Sequence, residues 1–224
     1  MKILLLLFLS ITVAESTTAF SVLKAQSTQG RVDLYSKYRD FPQDRVIMMR
    51  QLRVLAQEED NRSVTDFGRK VSDVPGTAWT HELNHDFSKK NGWYIRETIM
   101  TCGVLNVVTL RDSIVNCFLN AERMAPADGV RQSAIIALSQ MGADPSVFLT
   151  LLLNRQNFWL DNSLFMSIQA LKEHGDSTCV PYVSNLRGNL EAALPTFPED
   201  YLQTLQKLIQ ACEAVESKFG GMNE

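Results

Sequence analysis

The chain is poor in the residues on which most active-site chemistry depends. It holds only 3 His and 4 Cys among 224 residues, and no two cysteines stand at C-x-x-C spacing. That spacing is what zinc clusters and dithiol redox sites usually need, so neither is expected. Glycine is sparse at 11 residues, and the one adjacent pair, Gly220-Gly221, lies in no phosphate-cradling loop. No Gly-x-Ser-x-Gly elbow exists to expose a serine nucleophile. Basic residues do not exceed acidic ones, and the net charge of −3 leaves no polybasic excess for nucleic acid or an anionic membrane.

Long apolar runs are equally scarce. The single example, Ile3 to Ala14 behind Lys2, is followed by small residues at Ser16, Thr17, Thr18 and Ala19. It reads as an export signal, with cleavage after Ser16 or Ala19, and is too short to span a bilayer comfortably. Residues 1–19 are therefore expected to be a signal peptide, with no integral membrane span remaining and a periplasmic or secreted destination. An oxidising destination would give the even set Cys102, Cys117, Cys179 and Cys212 the option of disulfides. Asn61-Arg62-Ser63 is a glycosylation sequon, relevant in a eukaryotic host.

What the chain does have is helical periodicity. Residues 20–43 read as a polar, irregular leader. Asp44 can cap a helix to about Glu58, with Val46, Ile47, Leu52 and Leu55 apolar and Met48 and Met49 as core filler. A weaker helix is predicted near 63–71 before Pro75-Gly76 breaks the pattern. Within this 44–91 region, Thr77–Asn91 forms an irregular insertion. From Gly92 the pattern is regular. Tyr94, Ile95, Ile99 and Cys102 mark one helix, and Ile114, Val115, Phe118 and Leu119 the next, opened by a Thr109-x-x-Asp112 capping box. Val130, Ala134, Ala137, Leu138 and Met141 form a stripe of small and medium groups suited to close helix packing. Asp144-Pro145 starts the following helix, with Phe148, Leu149, Leu151, Leu152 and Leu153. Ile168, Ala170 and Leu171 lead to Gly175, and Asp176 or Ser177 caps a helix with Val180, Val183 and Leu186. Thr196-x-x-Glu199 opens a last helix with Leu202, Leu205, Leu208, Ile209 and Cys212, stopped by Gly220-Gly221.

Two of these stretches superimpose. Ala137-Leu138 falls on Ala170-Leu171 and Gly142 on Gly175, each 33 residues on. Units of that size that cannot bury their own apolar face stack on their neighbours. Val130-Arg131…Ala134…Ala137-Leu138…Met141-Gly142…Asp144 resembles the first helix of a short HEAT-like repeat. Ala170-Leu171…Gly175-Asp176…Val180-Pro181-Tyr182-Val183 resembles the junction between two such helices. The resemblance is clearest over residues 128–187 and extends loosely over 92–217, with 218–224 as a tail. It departs from the family in its short period and in Ser163-Leu164 standing where a Val-Arg pair is usual. It implies an all-α fold, a right-handed α–α superhelix, with Arg131 and Arg96 bridging neighbouring repeats. Helical-hairpin geometry then favours Cys102–Cys117 and Cys179–Cys212 as disulfides.

One motif points to catalysis. His81-Glu82-Leu83-Asn84-His85 matches H-E-x-x-H, in which two imidazoles one helical turn apart hold zinc and the glutamate activates the bound water. The resemblance to zinc peptidases stops at those five residues. Asp86 follows His85 directly, no strand pair precedes the motif, and the third ligand would have to be Glu97 or His174. The expected function is therefore partner-protein binding by an exported HEAT-like scaffold, with no catalysis, cofactor or nucleic acid. A zinc peptidase using His81, Glu82 and His85 is the alternative. Second helices line the concave face of such stacks, which nominates Arg111, Asn116, Asn154, Arg155, Asn185 and Arg187 as contact residues. Trp79, Trp93 and Trp159 are expected in core or groove packing rather than as interface anchors.

Overall fold

The computed structural model describes residues 20–60, 76–89 and 91–223. The export signal, the sequon and the helix predicted near 63–71 lie outside them. Among the described residues all regular structure is helical. We number the helices α1 (Thr28–Ser36), α2 (Pro42–Asp60), α3 (Thr80–Asp86), α4 (Gly92–Val104), α5 (Arg111–Leu119), α6 (Ala127–Gln140), α7 (Pro145–Arg155), α8 (Asn162–His174), α9 (Val180–Ala193) and α10 (Glu199–Phe219).

The even-numbered helices from α2 to α10 lie side by side in chain order, each packed on the next. The odd-numbered helices form a second layer: α5 packs on α6 and α7, α7 on α8, and α9 on α10. This is the two-layer stack that the repeat predicts. A helix in the middle of the row is enclosed on both sides and from beneath, so its buried arc is wide. In α6 the predicted stripe Val130, Ala134, Ala137, Leu138 and Met141 is buried, and so are Ser133, Ser139 and Gln140. The small residues act as expected. A Cβ added to Gly103 would stand 2.6 Å from Cα of Ala137, so α4 and α6 approach backbone to backbone. At the end of the row α10 is amphipathic, burying Leu205, Leu208, Cys212, Val215 and Phe219 while Glu199, Asp200, Lys207 and Glu213 stay exposed, as a capping helix requires.

The ends of α4 and α6 repeat one turn. Asn106 has φ 52° and Gly142 φ 60°. The amides of Val107 and Ala143 each reach back five residues, to the carbonyls of Cys102 and Leu138, at 3.0 Å. This is the Schellman closure of a helix by a left-handed residue, a role open to asparagine as well as glycine. Gly175, the partner of Gly142 in sequence, is instead extended (φ −72°, ψ 178°). A Cβ there would fall 2.3 Å from the Leu171 carbonyl oxygen, so close approach, not handedness, requires the glycine.

Several expectations are corrected. Residues 20–43 are not irregular: 20–24 are helical, and α1 is capped by Ser27, whose hydroxyl accepts the Gly30 amide. Leu23, Val32 and Tyr35 are buried. Three apolar anchors spread over two short helices are too few to register as a periodic pattern. The Thr109 capping box does not form, because Thr109 Oγ1 pairs with Thr80 Oγ1 at 2.7 Å and α5 emerges from a 3-10 turn with no side-chain cap. Thr196 donates back to the Ala193 carbonyl instead of capping α10.

The predicted disulfides are also corrected. All four cysteines are buried free thiols. Cys179 sits in a 3-10 turn packed against residues 220–223, more than two turns beyond Cys212 along the last helix, or roughly 12 Å of rise. Burial pushes the Cys117 thiol up to about 11 and that of Cys212 to about 12, and raises Cys102 and Cys179 as well.

Candidate functional site

The insertion expected to be irregular is helical through Asp86, including the H-E-x-x-H segment, whose inward face is not built for a metal. Glu82 and Asp86, one turn apart on α3, point into the fold, while the His81 side chain is 82% exposed. Asp86 and Arg45 are both fully buried. Arg45 Nε donates to Asp86 Oδ1 at 2.7 Å, joined by the Tyr94 hydroxyl at 2.7 Å, and the Tyr35 hydroxyl donates to Oδ2 at 2.7 Å. The other guanidinium nitrogens of Arg45 reach the Tyr35 carbonyl (3.1 Å), the Glu82 carbonyl (2.9 Å) and Glu82 Oε2 (3.1 Å). Arg39 holds Glu82 Oε1 at 2.6 Å. The Arg45 guanidinium also lies 3.8 Å from the centre of the Tyr35 ring.

The electrostatics follow from this arrangement. Burial alone would raise the Glu82 carboxyl, but hydrogen bonds from His81, Arg45 and Arg39 outweigh it and hold the group below its ordinary value. Burial, reinforced by Asp86, pushes both Tyr35 and Tyr94 up. Two guanidiniums on the would-be general base, with the neighbouring Asp86 taken by three donors, do not fit a divalent cation. The third-ligand candidates are held elsewhere. Glu97 is bound by Arg50 (2.9 Å) and Arg53 (2.5 Å), and His174 stacks on Phe148 with 5.2 Å between centroids. Among the described residues no group of three His, Cys, Asp or Glu is placed to share an ion. The motif fastens α1 and α2 to α3.

The six nominated contact residues divide by type. The asparagines Asn116, Asn154 and Asn185 are exposed on the second-layer helices α5, α7 and α9. The arginines are engaged internally. Arg111 donates to the carbonyls of Met141 and Gly142, closing the α6 turn from the neighbouring layer. Arg187 pairs with Glu216 (3.0 Å) and Glu191 (2.6 Å). Arg155 is buried and bonded to Asp161. Arg131 reaches Asp161 at the head of α8 at 3.5 Å as well as Asp128 at 3.0 Å. Arg96 is exposed. Of the tryptophans, Trp79 is core and Trp93 lies 42% exposed under Arg50.

The α7–α8 connection gathers aromatic and apolar side chains at the surface. After Arg155 the chain makes a tight loop in which the Phe158 amide donates to the Arg155 carbonyl (2.8 Å) and the Asp161 amide to the Phe158 carbonyl (2.9 Å). Indole Nε1 of Trp159 donates to the Gln156 carbonyl at 2.8 Å. Held this way, Phe158 and Leu160 project outward, 47% and 52% exposed. Trp159 packs on Phe197 with 5.6 Å between centroids, and Phe197 continues edge-on to Tyr201. Phe158, Trp159, Leu160 and Phe197, with Asn157, Asp128 and Asp161, line a cleft of about 610 Å³, and Tyr201 lies just outside it.

The cleft wall is preset from behind. Arg131 and Arg155, each 5% exposed, converge on Asp161 and also reach Glu122 at 3.3 and 3.6 Å. The Arg155 guanidinium lies 3.8 Å from the centre of the Phe158 ring. Asp161 caps α8 through the Ser163 amide at 2.8 Å. Burial would raise its carboxyl, but the bonds from Ser163 and Arg155 hold it below its ordinary value, so it is anionic at neutral pH. Trp159 packs on Phe197, whereas its neighbours Phe158 and Leu160 stay exposed. The available signal was the triplet Phe158-Trp159-Leu160, apolar residues in succession between two helices, where no helical face can bury all three.

Fold and cleft together define a two-layer helical stack with an aromatic-lined cleft at the α7–α8 connection. No known protein family, curated protein or solved structure matches the chain.

Proposed function

We propose that this chain is an exported, non-catalytic HEAT-like scaffold that docks a partner protein in the α7–α8 cleft. The observation that carries the reading is the contiguous exposure of Phe158 and Leu160 beside the Trp159–Phe197–Tyr201 aromatic row, on a loop pinned by buried arginines. Aromatic anchors on a rigid support lose little entropy on binding and dominate interface energetics. Asn116, Asn154 and Asn185 lie exposed on the second-layer helices and are not among the residues that line the cleft. The zinc-peptidase reading has no comparable support, because its glutamate is held by two arginines.

The test is cross-linking in the native host with the tagged full chain, followed by mass spectrometry. The variant pair Phe158→Ser and Leu160→Ser should lose a specific co-purified protein while keeping the wild-type unfolding midpoint. A triple Asn116→Ala, Asn154→Ala, Asn185→Ala variant should retain it. Retention of the same protein by the cleft variant with loss by the asparagine variant would move the interface to the second layer.

A further inference from the structure

We infer that the occupant of this cleft is a basic segment of the partner protein, whose lysine or arginine lies along the aromatic wall with its cation against Asp128. The inference rests on the docking role proposed above and adds the chemistry of what is docked. It follows from which charges face the opening. Three carboxylates (Glu122, Asp128 and Asp161) share two buried guanidiniums (Arg131 and Arg155), so within this ion-pair cluster the acids outnumber the bases by one. The guanidiniums are 5% exposed, whereas the Asp128 and Glu122 side chains are 62% and 70% exposed. An incoming ligand therefore meets carboxylate oxygens and ring faces.

The helix starts at this edge do not reverse that sign. Asp161 accepts the Ser163 amide at the head of α8, Asp128 sits in the first turn of α6, and exposed Glu199 and Asp200 occupy the first turn of α10. An anion would have to pass these acids to reach arginines already engaged with Asp161. A wholly apolar segment would cover Asp128 without replacing its lost hydration. A lysine or arginine satisfies both halves of the surface. Its methylene stem lies on Trp159, Phe197 and Leu160, and its charge stays at the wet rim against the carboxylate. The ring faces add a cation–π attraction.

The experiment uses the full chain and blocked seven-residue peptides of sequence Gly-Ala-Leu-Xaa-Leu-Ala-Gly, with lysine, norleucine or glutamate at Xaa, titrated calorimetrically. The lysine peptide should bind about tenfold more tightly than the norleucine peptide, an advantage that shrinks with added salt. Asp128→Asn should remove most of that advantage, so that the lysine and norleucine peptides bind about equally well. Equal affinity for lysine and norleucine would overturn the basic-segment inference but leave apolar docking standing. Tighter binding of the glutamate peptide, an unaffected Asp128→Asn variant, or no lysine-peptide binding at millimolar concentration would overturn it as well. Loss of all peptide binding on Phe158→Ser and Leu160→Ser belongs to the docking reading alone.

Discussion

If the H-E-x-x-H segment is an anchor, its acids matter to stability and its histidines do not. The decisive substitution is Asp86→Asn. An asparagine keeps the shape: its carbonyl oxygen can still accept from Arg45 and Tyr94, and the Tyr35 hydroxyl can rotate to accept from the amide. What is lost is the charge facing Arg45, a guanidinium with no solvent exposure whose remaining counter-ion is Glu82 at 3.1 Å. Charge-assisted hydrogen bonds contribute about 1.5–3 kcal/mol, and breaking a buried pair from one side costs about 3–5 kcal/mol. Because the hydrogen-bond count is preserved, a loss of about 3 kcal/mol is expected. For a chain of this length that lowers Tm by about 6–12 °C. His81→Ala, at an 82% exposed side chain, should stay within about 0.5 kcal/mol of wild type. Urea unfolding followed by circular dichroism measures both. Arg45→Met combined with Asp86→Asn should cost at least about 1 kcal/mol less than the two single losses added together. An Asp86→Asn loss no larger than that of His81→Ala, or strict additivity, would refute the reasoning.

Three further outcomes follow from the packing and titration of the stack. Gly103→Ala forces α4 and α6 apart at Ala137 and should destabilise by about 1–3 kcal/mol, while Gly188→Ala, with open space on exposed α9, should stabilise by about 0.5–1 kcal/mol; chemical denaturation of each reads the sign. Burial on Phe148 and the nearby Lys218 charge lower the His174 pKa from 6.5, and Glu173 only partly opposes them. Below about pH 6.5 the unfolded chain therefore takes up a proton that the fold resists, and stability falls as pH drops towards the folded value. His174→Phe should flatten urea midpoints between pH 7.5 and 5.5. The four thiols, buried and raised in pKa, should react with a disulfide reagent only after denaturation; stoichiometric native labelling would contradict their placement.

The row of stacked helices was legible because its signals are local. Apolar stripes such as Val130 to Met141, the Asp144-Pro145 start and the capping face of α10 each depend on residues within a few turns of one another. The α1 segment was illegible because its anchor is remote: Tyr35 meets Asp86 across 51 positions, and no periodicity encodes a single phenol–carboxylate bond. The same holds for Arg45, whose place on α2 looks like ordinary helix surface until its partners are known. Arginines were misplaced for a related reason. A charged residue on a second-layer helix has the sequence context of solvent, yet Arg155 and Arg111 reach into neighbouring turns. Asn106 hid a repeat because the left-handed position it fills is written as glycine in the next unit.

The tie between Tyr35, Arg45 and Asp86 also decides where the folded unit begins. Hydrophobic periodicity puts the first cut-point near Asp44, in the first turn of α2. A fragment starting there would delete Arg39 and Tyr35, hence one donor to each carboxylate of α3 and the backbone carbonyl on which Arg45 rests. It would keep two ions in the interior and strip away the groups that make them tolerable there. The smallest autonomous piece of this chain must therefore reach back through α1, and a protease that nicked it between α1 and α2 would loosen the first layer at its charged centre rather than trim an ornament.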